Sequence, residues 1–294
     1  MERSRRRRRS MLYIPGNNPA MLQHAGVYGA DGILLDLEDA VATTEKDAAR
    51  ILVRNMLRTM DYSGCEVAVR VNHLDTPFGL ADLEEIVPLQ PDALRIPKIE
   101  SVGDLLRFIG EVERVEDQHG LPHDRMKLHP LIETALGVEN AFAIATASRR
   151  VDSISIGGQD LTADMQVGKS KDGVAIDYAR RRIIMAAKAA RVDCLDTIFA
   201  DLEDEEGLRA ETEHIKKLGF IGKAAINPRQ IRIIHEVFTP TADEIRKAEK
   251  IVREFLRNRT LGIGVFAVDG KMVDAPVVAR AQYVLDLAGI EIDE

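Results

Sequence analysis

Cysteine is nearly absent: Cys65 and Cys194 are the two thiols in 294 residues, far apart and outside any CxxC spacing. That excludes a disulfide scaffold and a zinc ribbon, and it predicts a reducing, cytoplasmic compartment. No apolar run approaches the roughly 18 residues that a transmembrane helix needs. Positive charge is in deficit, 40 Lys+Arg against 48 Asp+Glu, and the net −8 argues against a general nucleic-acid binder. Neither a GxGxxG turn nor a P-loop occurs, so the usual nucleotide-binding open sheets lack their first turn here. Histidines offer no metal triad. His119 and His123 flank a Gly-Leu-Pro turn, His214 falls within a helix, and His129 opens a strand at the end of the fold that serves stability.

Basic residues concentrate in one place, Arg3 and Arg5 to Arg9, just before Met11-Leu12-Tyr13-Ile14 and Pro15-Gly16. Four apolar residues are too few for a secretory h-region of about 7–15. Residues 1–10 read as a solvated basic tail able to touch an acidic partner.

The remainder is an ordinary globular composition, 45% hydrophobic and 30% charged, with a strict strand–helix rhythm. Strands are expected at Met11–Ile14, Gly32–Asp36, Glu66–Asn72, Ala93–Ile96, Leu128–Glu133, Ser153–Ile156, Asp193–Ile198 and Gly222–Ile226. Helical spacing runs over Thr44–Met60, Val102–Gln118, Val138–Ala147, Ile176–Ala190, Glu205–Leu218 and Pro228–Val237. Thr43 or Thr44 is placed to N-cap the first of these helices, and Gly219 to end the fifth. Near-continuous apolar strands imply a parallel sheet covered on both faces, and eight βα units favour a closed (β/α)8 barrel. Residues 11–240 would form this barrel. A helix over Thr241–Arg257, a hairpin over Gly262–Val273 and a helix over Pro276–Leu287 would make residues 241–294 an extension reaching a neighbouring protomer.

Barrels of this kind build their sites at strand C-terminal ends. Keeping only polar residues at those ends leaves Asp36, Glu38, Asp39, Arg70, Asn72, Lys98, Glu133, Gln159, Asp160, Asp164 and Asn227. Glu133 and Asp160 come from adjacent strands, and two such carboxylates repel unless a cation lies between them. With only oxygen donors in the set, the hard cation Mg2+ is expected rather than Zn2+. Each residue alone has a plainer explanation: Asp36, Glu38, Asp39 and Asp160 as helix-terminal acids, Arg70 and Glu133 as salt-bridge partners. Their joint placement on one barrel face is what marks them.

Several stretches resemble the citrate lyase β subunits, within the wider HpcH/HpaI-type family of barrel aldolases and malyl-CoA-lyase-like enzymes. They are Pro15-Gly-Asn-Asn-Pro-Ala-Met-Leu, Ala30-Asp-Gly-Ile-Leu-Leu-Asp-Leu-Glu-Asp-Ala-Val, Val69-Arg-Val-Asn with Thr76-Pro-Phe-Gly, and Arg95-Ile-Pro-Lys. Leu131-Ile-Glu-Thr-Ala-Leu-Gly-Val, Asp201–Gly207, Gly222-Lys to Asn227-Pro-Arg-Gln-Ile and Asp269-Gly-Lys-Met-Val-Asp-Ala-Pro follow in order. The resemblance implies an Mg2+-dependent lyase splitting a citryl thioester, on acyl carrier protein or CoA, into oxaloacetate and an acetyl thioester. A malyl- or citramalyl-CoA lyase and a non-catalytic assembly subunit are the alternatives. It implies further that Glu133 and Asp160 bind the metal, and that Glu38 and Asp39 hold its waters. Arg70, Glu133, Asn17 and Lys98 would contact substrate. Asp36 would handle a proton near the hydroxyl. Asp274, from a neighbouring protomer, would handle the proton on the acetyl carbon. A homo-oligomer, trimer or hexamer, associated with citrate lyase α and γ subunits is implied, with no membrane or nucleic-acid partner. The family commonly carries Glu-Asp where this chain has Gln159-Asp160, so the ligand is kept and a negative neighbour is lost.

Overall fold

The structure, a computed structural model, describes residues 7–62, 64–168, 173–260 and 262–292. The chain divides into two compact units, Met1–His235 and Glu236–Glu294. Arg3, Arg5 and Arg6 lie outside the described residues.

In the first unit eight parallel strands close into a barrel in chain order. They are β1 (Ser10–Pro15), β2 (Gly32–Asp36), β3 (Glu66–Arg70), β4 (Ala93–Ile96), β5 (Lys127–Ile132), β6 (Ser153–Ile156), β7 (Asp193–Asp196) and β8 (Gly222–Ala225). Closure is made by β1, which pairs with β2 on one side and with β8 on the other. Alternate side chains of each strand point inward. Met11, Leu34, Ala68, Ala93 and Leu195 thus meet as an apolar layer inside the barrel, with Tyr13 against it. Helices of mixed length cover the outside, among them Lys46–Thr59, Val102–Gln118, Ala135–Thr146, Val174–Ala190 and Glu205–Leu218. The last of these ends where expected: Gly219, at φ 106°, donates its N–H to the carbonyls of Ile215 and Lys216.

Two local expectations are corrected. Thr43 and Thr44 do not cap a helix; they belong to a 3-10 turn, Thr43–Glu45, and the helix after it has no side-chain cap. Its entry is anchored instead by Lys46, whose Nζ donates to the carbonyls of Leu37 at 2.8 Å and Glu38 at 2.7 Å. The end of the basic run is not a solvated tail either. Arg8 is buried at the N-terminal end of the barrel, its guanidinium reaching Glu66 at 2.6 Å, Asp152 at 2.8 Å and Asp193 at 2.8 Å. Arg9 pairs with Asp31 at 2.8 Å. These acids stand at the starts of β2, β3, β6 and β7, and the last two arginines of the run pair with all four. His129 of β5, fully buried, joins the same cluster through Asp152 at 2.8 Å.

The second unit packs helices Ala242–Thr260 and Ala275–Ala288 through Ala248, Val252, Ala281 and Leu285. Between them Phe266–Val268 and Lys271–Val273 form an antiparallel hairpin, turned by Asp269 and Gly270, both at positive φ. Asp274 caps the last helix, its Oδ1 accepting the Val277 N–H at 3.2 Å. Among the described residues, no helix is long and apolar enough to cross a membrane.

Candidate active site at the C-terminal end of the barrel

A cavity of about 330 Å3 opens where the strands end, and Asp36, Asp39, Arg70, Arg95, Glu133, Gly157 and Asp160 stand on its wall. Most of the residues selected from strand ends therefore converge. Each is placed by its strand and held by the loop that follows.

Asp36 ends β2 and Arg70 ends β3, in register with each other. Arg70 Nε donates to Asp36 Oδ1 at 2.7 Å and Nη2 to Oδ2 at 2.6 Å, a bidentate pair almost out of solvent. Asp36 also accepts the N–H of Glu38 at 2.9 Å. This geometry makes Asp36 the holder of Arg70. Arg70 Nη1 reaches Glu38 Oε2 at 2.9 Å, and the guanidinium lies over the Tyr13 ring at 5.5 Å. Burial opposes the Arg70 charge, yet Asp36 and Glu38 outweigh it and hold its pKa well above the usual arginine value. One N–H on each terminal nitrogen of the fork is left over for a ligand.

Glu38 sits behind the cavity wall between two cations, with Lys98 Nζ on its Oε1 at 2.9 Å. Burial disfavours the Lys98 charge, but the bond to Glu38 and the nearby Asp39 and Glu133 raise its pKa overall. Asp39 is half exposed on the wall, about 4.0 Å from Arg70. Lys98 adopts φ 53°, a left-handed conformation unusual for a side chain with a Cβ, and so turns its N–H onto Glu133.

Glu133 follows β5 and is 1% exposed. Its Oε1 accepts the Lys98 N–H at 2.7 Å, while Oε2 is sealed from solvent without a partner. Burial, then the negative charges of Asp160 and Glu38, push its pKa up to about 8. Gly157 leaves the space it needs: a Cβ there would meet Glu133 Oε2 at 2.5 Å. Asp160 lies in the first turn of the helix Gly158–Asp164, not at its cap, which is Gly157. Its carboxylate is half-buried on the cavity wall and, among the described residues, forms no ion pair.

Asn17, Asn72, Asn227 and Asp164 do not reach the cavity wall. Asn17 bonds Glu45, Asn72 holds Asp82 and the Leu37 carbonyl, and Asn227 accepts the Arg229 N–H. Asp164 accepts the N–H of Ala135 at 2.8 Å and ties two helices together. Arg95 was missed by a filter on strand ends because it lies within β4; a lone arginine in Ala-Leu-Arg-Ile was the available signal.

Among the described residues, no group of three or more His, Cys, Asp or Glu converges as a metal cage. What the site offers is two acids, one with an orphaned buried oxygen. That suits a hard cation that keeps several positions for water and ligand.

The sequence pattern of the HpcH/HpaI aldolase/citrate lyase family matches residues 9–228. The citrate lyase subunit beta of Leuconostoc mesenteroides subsp. cremoris is 44% identical over 96% of this chain and 94% of its own. The mitochondrial citramalyl-CoA lyase of Rattus norvegicus is 32% identical over 96% of this chain and 86% of its own. Protein CitE from Mycobacterium tuberculosis, solved with magnesium, acetoacetate and coenzyme A, superposes with a TM-score of 0.78 at 29% identity, covering 96% of this chain and 98% of that one. The citrate lyase beta subunit from M. tuberculosis complexed with oxaloacetate and magnesium gives 0.67 at 28% identity, over 79% of this chain and 96% of that one. The matched pattern spans the whole barrel and every wall residue described above, and the chain belongs to the HpcH/HpaI aldolase/citrate lyase family.

Proposed function

We propose that this chain is an Mg2+-dependent carbon–carbon lyase that splits a citryl thioester into oxaloacetate and an acetyl thioester, acting as a citrate lyase β subunit. The observation that carries the reading is Glu133: a carboxylate buried to 1%, one oxygen held and the other orphaned, beside the uncompensated Asp160. Such a pair is costly as it stands and becomes favourable around a divalent cation. The site fits magnesium, which when held by Glu133 and Asp160 supplies Lewis-acid polarisation of the substrate hydroxyl and its carboxylate.

The chain's own residues do the rest. Arg70, fixed by Asp36 and Glu38, turns its two remaining N–H groups to a substrate carboxylate and to the oxygen that gains charge as the bond breaks. Lys98 holds Glu133 in place through its N–H and balances Glu38 through its ammonium. The apolar wall of Leu131, Ile156, Leu195 and Ile226 excludes water from the departing acetyl carbon. The hydroxyl proton leaves to solvent as the bond breaks, and Asp274 of a neighbouring protomer, in its acid form, returns a proton to that carbon, which makes residues 241–294 an assembly element. The acyl group rides on acyl carrier protein or CoA, the oligomer docks with α and γ subunits, and the protein works in the cytoplasm.

The test is turnover of a panel of citryl, malyl and citramalyl thioesters with and without EDTA. Oxaloacetate formation that needs Mg2+ and favours the citryl substrate is expected. Full activity in EDTA would remove the metal, and preference for a malyl or citramalyl thioester would reassign the substrate.

A further inference from the structure

Arg95 is the least explained charge in the barrel. It points inward from β4, is 1% exposed, and stands on the wall of the same cavity as Arg70, Glu133 and Asp160. Its Nε and Nη1 are both sealed from solvent and make no hydrogen bond. Its neighbour in register on β3 is Arg70, which lines the same cavity. Their circumstances differ. Asp36 and Glu38 surround Arg70, whereas among the described residues no carboxylate forms an ion pair with Arg95; burial lowers its pKa against the more distant pull of Tyr13 and Glu66, and the Arg70 charge adds to the lowering. Across the cavity Ser155 Oγ is also buried without a partner. An unpaired guanidinium in an apolar wall costs several kcal/mol of solvation, in a position where methionine or leucine would pack at no such cost. An anion entering the cavity would give its two orphaned nitrogens the partners they lack.

We propose that Arg95, assisted by Ser155, is the binding site for the second free carboxylate of the substrate, and that it selects keto-acid groups bearing two carboxylates over those bearing one. The inference rests on the lyase reading above and sharpens it. The citryl group, and the oxaloacetate cut from it, carry one carboxylate more than the citramalyl or malyl group and the pyruvate or glyoxylate they yield. In this cavity Arg70 and the cation serve the carboxylate next to the reacting carbon. The extra carboxylate needs its own cation, and among the described residues on the wall Arg95 is the cation whose nitrogens lack protein partners.

The experiment compares oxaloacetate with pyruvate, which differs from it by that carboxylate alone. Both are titrated calorimetrically into the full-length protein in Mg2+ buffer, for wild type, Arg95→Met and Arg95→Lys. Wild type is expected to favour oxaloacetate; Arg95→Met weakens oxaloacetate at least about 30-fold and pyruvate less than about 3-fold, as for loss of one buried charge-assisted contact. Arg95→Lys, keeping the charge but not the fork, falls between them. Thermal unfolding of the unliganded proteins is the second readout: Arg95→Met, which removes an uncompensated buried charge, melts at or above wild type. If Arg95→Met weakens both acids equally, or neither, or melts well below wild type, Arg95 is a structural charge and the proposal is overturned. Wild type that binds neither acid would instead sink the lyase reading itself.

Discussion

The two ends of the barrel hold similar numbers of buried charges and treat them oppositely. At the N-terminal end Arg8 meets Glu66, Asp152 and Asp193, Arg9 meets Asp31, and His129 bonds Asp152. Among the described residues, orphaned atoms at this end include His129 Nδ1 and Ser153 Oγ. At the C-terminal end Glu133 Oε2 is the one buried carboxylate oxygen without a partner among the described residues, and Arg95 leaves two nitrogens unanswered. Charges closed upon one another stabilise a fold; charges left open in a cavity are held at a cost that a ligand offsets. The contrast locates function without reference to any relative. It also sets the end proposed for cation and keto acid apart from the end that holds Arg8 and Arg9.

The largest effects should separate the ends. Glu133→Ala removes a ligand from the open end: kcat/KM with Mg2+ should fall at least about 1000-fold, the scale of several kcal/mol of lost polarisation, while Tm holds or rises. Asp160→Ala should behave alike. A simultaneous collapse of Tm would mean that Glu133 is structural and that the two ends do not differ. Arg8→Ala is the mirror image. It strands three acids at the closed end and should cost about 3–5 kcal/mol in denaturant unfolding, with kcat per folded molecule unchanged. Loss of activity at full stability would break the comparison.

pH sharpens it, because the ends respond with opposite sign. Burial keeps the His129 pKa below its usual value against the pull of Asp152. The unfolded chain therefore takes up that proton first, and stability is lost as pH falls below about 6.5. Asp152 and Glu66 are buried too, but their partners hold them below the ordinary carboxylate range, so they add to the loss at still lower pH. Glu133 is raised from 4.5 to about 8, so the folded state keeps a proton that the unfolded chain has released. Its contribution to stability is present at low pH and is lost as pH rises through that window. Without metal, Glu133→Gln should flatten the decline in Tm between about pH 5 and 8 and leave the acid limb unchanged. An unaltered alkaline limb would show that Glu133 is already ionised.

Most of the frame was legible because strand alternation and helix spacing are local signals. All eight strands lie within two residues of their expected ends, and Val102–Gln118 and Glu205–Leu218 coincide with theirs. The site was legible in part for the same reason: a residue after an apolar strand must surface at the barrel mouth, which found Asp36, Arg70, Glu133 and Asp160. Arg95 escaped because it sits on the inner wall of its strand, below that mouth. Arg8 escaped because its partners lie 58, 144 and 185 positions away, and a run of arginines carries no sign of where it docks. Asn17 lies off the cavity wall, where its loop turns the amide to Glu45.

Lys98 gives the smallest expected change and tests how the open end is kept open. Its ammonium is 44% exposed, and such a pair with Glu38 contributes at most about 1 kcal/mol. Its N–H, by contrast, is what holds Glu133 at 2.7 Å, and that bond survives any side-chain substitution. Lys98→Gly also relieves the left-handed backbone, a gain of up to about 1 kcal/mol that offsets the lost pair and the added chain entropy. Both Lys98→Met and Lys98→Gly should then keep Tm within a few degrees and Mg2+ affinity within about threefold. A loss of more than tenfold in kcat/KM for Lys98→Met, at constant metal affinity, would show that the ammonium reaches the substrate itself. The open end would then owe its selectivity to three cations rather than two.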